Sequence, residues 1–368
     1  MHLYIHVPFC ARRCSYCDFA IAVRREVPSA QFAALIEGEW AGWQTHPAWD
    51  ESPRLDTIYF GGGTPSRLDP AAIARMLEVF RAGRSITPGA EITLEANPDD
   101  VTPENALAWL AAGVNRISLG AQSFDPRVLD WMHRTHDAAQ AGVAMRTLRS
   151  AGFADISLDL IYAVPRALDR DWAADLEQAL ALAPTHISLY GLTVEPATPL
   201  GKWTARGESI SLDDEHAAAE YLDAHERLVT SGFEHYEVSN AGLPGYRARH
   251  NSAYWRRAPF IGLGPSAHSG FAASRRWNVR EWTEYARRAE SGDTLMLEEE
   301  RLDESQVELE TLYLGLRTSD GLPAASVPAG VLERWSSSGW AVLCGSRVAL
   351  TAPGWLRLDA LVASLSRC

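Results

Sequence analysis

The sequence predicts an α/β fold: an incomplete TIM-like barrel of six β/α units followed by a small C-terminal winged-helix-like module. Three observations carry this. Short β-rich runs alternate with helical patterns through the first half of the chain, which implies a parallel sheet with crossover helices. Polar residues stand directly after successive strands, where barrels of this kind gather their active sites. Past Pro199 the alternation stops and a different organisation begins.

The expected strands are Leu3–Val7, Thr57–Phe60, Glu91–Leu94, Asn115–Leu119, Asp155–Ile161 and His186–Leu189. Helical patterns fall between them. Gln31–Trp43 has helical composition, and Ala71–Arg81 puts Ile73, Met76, Leu77 and Phe80 on one face. A helix opening with Pro103 is capped by Thr102 or Asp100, and further helices cover Ala138–Ser150 and Trp172–Leu182. Periodicity alone does not separate an incomplete barrel from an open sheet. The strand-end residues favour the barrel: Cys10, Gly61–Thr64, Glu95, Gln122 with Ser123, Asp159 and Gly191 would meet at one mouth.

Beyond the barrel, Asp213 caps an amphipathic helix to Ser231, and an irregular aromatic-rich stretch spans Phe233–Trp277. An acidic run Glu298–Arg301, helices Ser305–Leu316 and Val331–Ser337, and a hairpin of Gly339–Leu343 with Arg347–Leu350, ending in a Gly354 turn, suggest the winged-helix-like unit. The expected boundaries are 1–205 for the barrel, 206–292 for its extension and 293–368 for the C-terminal module.

Net charge is −13, from 34 Lys and Arg against 47 Asp and Glu, which argues against a general nucleic-acid binder. Arg247, Arg249, Arg256 and Arg257 would still make a local basic pocket. No run of about 18 apolar residues predicts a membrane span, and the opening residues lack a signal-peptide pattern. Five cysteines, three of them clustered, do not form a secreted disulfide framework, so a cytoplasmic location is expected.

That cluster is Cys10-x3-Cys14-x2-Cys17. Thiolates so close together suit an iron–sulfur cluster, zinc or cuprous copper. On a cluster of four irons, three cysteines leave one iron open to another ligand. A Cys3His zinc site completed by His2 or His6 is the rival reading. One β/α unit later, Gly61-Gly62-Gly63-Thr64-Pro65 follows a strand, and its glycines allow close backbone approach to a ligand. Cys344 reads as a buried small hydrophobe and Cys368 as a frayed terminal residue.

The combination YIHVPFCARRCSYCDF, YFGGGTPS, EANPDD, GVNRISLGAQSFD, DLIYAVP and HNSAYW resembles the radical S-adenosylmethionine (SAM) HemN/HemW family, over nearly the whole chain. The family comprises oxygen-independent coproporphyrinogen III dehydrogenase, a porphyrin-biosynthesis enzyme, and a heme chaperone. The resemblance implies that Cys10, Cys14 and Cys17 ligate a 4Fe–4S cluster. It implies that Tyr4, Gly62, Gly63, Thr64, Glu95, Gln122, Arg134, Asp159 and Gly191 hold SAM, with Tyr16 beside it. The chemistry so implied is one-electron reduction of the SAM sulfonium, opening radical hydrogen abstraction.

Three departures favour the chaperone branch over the dehydrogenase. Asp18 and Phe19 stand where the dehydrogenase pattern places a fourth cysteine, almost nothing precedes the cysteine motif, and His250–Trp255 matches the chaperone's HNxxYW element. His250 is then the expected heme contact, with His268 a second candidate; the alternative for His250 is a hydrogen-bonded core histidine. The resemblance further implies heme as cargo, respiratory heme proteins as recipients reached from the cytoplasm, and a monomer or homodimer.

Overall fold

The computed structural model describes residues 1–208 and 213–365. Its centre is a sheet whose first six strands run parallel: β1 (His2–Val7), β2 (Arg54–Gly62), β3 (Ser85–Ala96), β4 (Arg116–Gln122), β5 (Asp155–Tyr162) and β6 (His186–Gly191). They lie side by side in chain order, as successive right-handed β/α units require. Each of the six contains an expected strand except that β4 begins one residue later than predicted.

The crossover helices form where caps and apolar spacing coincide. Pro70–Gly83 starts on Asp69, whose side chain accepts from Ala71 N–H, and it buries Ile73, Met76, Leu77 and Phe80. Pro103–Ala112 is capped by Thr102, not Asp100, and closes on Gly113 at φ 104°. Ala138–Ala151 carries an Asp137–Gln140 capping box, and Asp171 caps Trp172–Ala181. Their apolar faces and the outward residues of the strands make one large core.

The stretch Phe233–Trp277, expected to be irregular, instead extends the sheet at both edges. β7 (Glu234–Glu237) and β8 (Asn240–Gly242) join antiparallel beyond β6. β9 (Phe260–Leu263) pairs parallel with β1, and β10 (His268–Phe271) and β11 (Ser274–Asn278) follow antiparallel. The acidic run continues the same sheet as β12 (Met296–Arg301) against β11, where Glu300 lies opposite Arg275. These strands are short and aromatic-rich without clean alternation, so their pairing partners rather than their own pattern hold them in place.

A second core gathers Leu316, Leu322, Val331, Trp335, Val348, Trp355 and Leu361 around Tyr221 of the helix Asp214–Thr230. There, β13 (Leu322–Pro323), β14 (Ala341–Cys344) and β15 (Arg347–Leu350) form a three-stranded sheet. The expected Gly354 turn is instead a short helix, Ala352–Trp355, because Thr351 caps it by accepting from Gly354 N–H. Cys344 is exposed rather than buried: it ends β14 just before the turn residue Gly345, at φ 63°. Cys368 lies outside the described residues.

Candidate functional site

The two ends of the barrel differ. At the end where the parallel strands finish, a cavity of about 360 Å³ opens. The loop after β1 brings Cys10, Cys14 and Cys17 to its wall, all three as free thiols. Thr64 Oγ1 donates to Cys10 Sγ at 3.4 Å, and Arg134 Nη1 to Cys14 Sγ at 3.6 Å. Burial, together with the neighbouring thiols, pushes the Cys17 pKa up to about 11. The Cys17 thiol is therefore protonated when no metal is present, and cluster assembly must release its proton.

The glycine loop is shaped by its protein neighbours as much as by any ligand. Gly62 sits at φ 111°, and a Cβ there would lie 2.6 Å from the His6 ring; a Cβ on Gly63 would lie 2.8 Å from the Pro8 carbonyl carbon. Gly63 N–H donates to Val7 O at 2.8 Å, clamping the loop to the end of β1. The glycines thus lock the thiol loop against the second strand, leaving Gly63 and Thr64 to line the cavity.

Two carboxylates line the same cavity. Glu95 accepts from Tyr59 O–H at 2.8 Å and from Gly62 N–H at 3.0 Å. Burial, added to by the charge of Asp159, pushes its pKa up to about 7. Burial also raises the pKa of Asp159, against the stabilising hydroxyls of Ser188, Ser118 and Ser157. Arg134 donates to Asn97 Oδ1 at 2.6 Å and to Gly120 O at 2.9 Å, and Arg12 ties the thiol loop to the carbonyls of His133 and Arg134. Gln122 holds a left-handed backbone at φ 68°, a strain that clusters at functional sites.

Of the expected residues, the cavity brings together all three cysteines with Tyr16, Gly62, Gly63, Thr64, Glu95, Gln122, Arg134, Asp159 and Gly191. Two lie elsewhere. Tyr4 stacks near Tyr59, with ring centroids 6.1 Å apart, and its hydroxyl reaches His6 Nδ1 at 3.1 Å; it lines the neighbouring cavity instead. His250 is 1% exposed at the opposite, N-terminal end of the strands. Its Nδ1 lies 2.7 Å from Thr57 Oγ1 and its Nε2 2.8 Å from Tyr254 O–H, so neither nitrogen is free for iron. Burial drives its pKa well down, as a neutral core imidazole requires. In this structure His250 stands as the hydrogen-bonded core histidine of its alternative reading; the HNSAYW helix (Arg249–Trp255) closes the end where the strands begin, with Tyr254 reaching the neighbouring cavity.

The rival zinc site fares similarly. His2 Nδ1 lies 2.9 Å from Thr57 Oγ1 and His6 Nε2 lies 2.9 Å from Ala20 O, so each candidate fourth ligand is held by the protein. The four arginines do surround one cavity, of about 660 Å³, with Arg247 paired to Glu234 and Asp320 and Arg257 paired to Glu310.

Sequence reasoning missed Tyr59, Asn97 and the serine cage of Asp159. A signal for the cage was present: Ile-Ser-Leu occurs in β4, β5 and β6, at residues 117–119, 156–158 and 187–189, each time a polar residue between apolar ones. Alternation turns each serine inward, away from the helices.

Thiols, glycine loop and paired carboxylates at the strand ends define a radical SAM site, and the family model described as Radical SAM superfamily matches residues 4–179. An iron–sulfur cluster and SAM are what that class carries. The heme chaperone HemW of Mycobacterium tuberculosis is 36% identical over 371 residues, covering 99% of this chain and 94% of that one. HemW of Synechocystis is 36% identical over 335 residues, covering 89% and 80%. Coproporphyrinogen III oxidase (HemN) from Escherichia coli shares the fold, at a TM-score of 0.80 and 20% identity, covering 99% of this chain and 89% of that one. The chain belongs to the HemW family.

Proposed function

We propose that this protein is a heme chaperone, holding a 4Fe–4S cluster on Cys10, Cys14 and Cys17 with SAM beside it, and delivering heme to respiratory proteins. The relationship to HemW proteins over 99% of the chain is the observation that carries the reading. The donor set of the cavity supports the cofactors. SAM is a sulfonium cation with an amino acid end; Glu95 and Asp159 suit its cationic and hydroxyl groups, and Arg134 suits a carboxylate. A cluster held by Cys10, Cys14 and Cys17 would, when reduced, supply one-electron chemistry toward the sulfonium. The chain's own part is to fix the thiol loop through Gly63 and Arg12 and to place two carboxylates in the same cavity.

Phe19 speaks for the chaperone over the dehydrogenase. At the position expected for a fourth cysteine it presents an apolar ring, 57% exposed, at the mouth. Among the described residues no helix is long and apolar enough to cross a membrane; we propose action in the cytoplasm. The test is anaerobic protein with reductant, SAM and coproporphyrinogen III, run beside a heme titration. No protoporphyrinogen IX and a Soret band are expected. Turnover to protoporphyrinogen IX would sink the chaperone reading in favour of the dehydrogenase.

A further inference from the structure

Among the described residues, nine of the eleven histidines have ring nitrogens engaged by hydrogen bonds or an ion pair, and His133 and His268 have no such partner. His133 lines the thiol cavity itself. His268 opens β10, its ring stacked on Trp277 of β11 at 5.4 Å and 26°. It faces a second cavity, of about 430 Å³, that begins where the first ends: Asp18, Phe19, Gly62 and Glu95 line both. The remaining wall is aromatic and cationic, with Tyr4, Tyr254, Phe260 and Arg280.

We propose that this second cavity is the heme seat and that His268 gives an axial nitrogen to the iron. The inference rests on the heme-carrying reading above and assigns it a site. Imidazole is a common axial ligand, and stacking on Trp277 holds the ring in place. His268 is exposed at the strand's start, and partial desolvation with the nearby Arg275 lowers its pKa, keeping the lone pair free at neutral pH. His6, on the same wall, is occupied: Nε2 bonds Ala20 O at 2.9 Å and Nδ1 bonds the Tyr4 hydroxyl. Phe19, Tyr254 and Phe260 offer apolar faces to a macrocycle, and Arg280 offers a cation to a propionate. Arg280 also donates to Asp18 O at 2.6 Å, one residue past Cys17, so the cargo's anchor adjoins the thiol loop. An open side leaves part of the macrocycle outside, as suits a ligand that must be handed on.

The test titrates hemin into anaerobic, cluster-loaded wild type, His268→Ala and His250→Ala, reading difference spectra and the resonance Raman iron–ligand signature. His268→Ala should shift the Soret band and weaken binding by about tenfold or more, the range that damaged metal sites span. Added imidazole should restore the wild-type signature, and His250→Ala should keep it. If His268→Ala fails to take up its cluster, His268→Gln, closer in size, carries the same comparison. An unchanged spectrum and affinity in a folded His268 variant overturns the ligand while heme binding stands. A wild type without a Soret band overturns both.

Discussion

The open mouth and the closed end of the barrel use nearly the same side chains to opposite ends. At the closed end, most polar groups are answered by another, Trp255 Nε1 and Arg116 Nε being buried exceptions. Thr57 bridges His2 and His250, Tyr254 takes the far nitrogen of His250, and Glu91 receives the backbone N–H groups of Arg249 and His250. His186 sits between Ser157 and Tyr236. At the mouth, the thiols are free, Phe19 is exposed, Gln122 is strained, and two carboxylates share a cavity at raised pKa. Polar residues completed by their neighbours build a fold, whereas those left incomplete await a ligand.

The comparison breaks most sharply on a cysteine. Cys10→Ser should reduce bound iron from about four atoms per chain to none. Because the thiol loop is held by Gly63, Arg12 and Thr64-side contacts as well as by metal, the iron-free fold should unfold at nearly the wild-type denaturant concentration. Full iron content in the variant would remove Cys10 from the cluster. Next in size is His250→Ala. It deletes a fully enclosed ring, strands the Tyr254 hydroxyl and leaves Thr57 bonded to His2 alone, a loss of about 3 kcal/mol in equilibrium unfolding. Unchanged stability with a lost Soret band would exchange the roles assigned to the two ends.

This contrast also explains what the sequence could and could not disclose. The six parallel strands were legible because caps, Pro starts and apolar spacing agree over each β/α unit, as at Asp69-Pro70 and Thr102-Pro103. The thiols, glycine loop and carboxylates were legible because they sit at strand ends in recognisable spacing. The direction of His250 was not. His-Asn-Ser-Ala-Tyr-Trp looks like a ligand motif, but its burial depends on Thr57 and Glu91, more than 150 residues away in the chain. The edge strands escaped for a similar reason: β10 and β11 owe their state to β9 and β12, not to local pattern.

The smallest effect is a pH dependence at the mouth. Burial and the Asp159 charge hold Glu95 at about 7 against hydrogen bonds from Tyr59 and Gly62, whereas an unfolded glutamate titrates near ~4.3. Between those values the folded chain binds more protons than the unfolded one, so this group's contribution to stability falls as pH rises through that window. Glu39, also pushed up to about 7 by burial, acts in the same direction. Stability alone therefore does not isolate the mouth, but ligand affinity does. The ionised carboxylate attracts the cationic end of SAM, so SAM should bind about tenfold more tightly at pH 8 than at pH 6, as expected when a group of pKa near 7 must lose its proton. Glu95→Gln should bind SAM more weakly at pH 8 and flatten most of that dependence while leaving the Glu39-linked slope of stability in place. A wild-type affinity that stays level from pH 6 to 8, measured by anaerobic calorimetry, would show that Glu95 does not meet the ligand's charge.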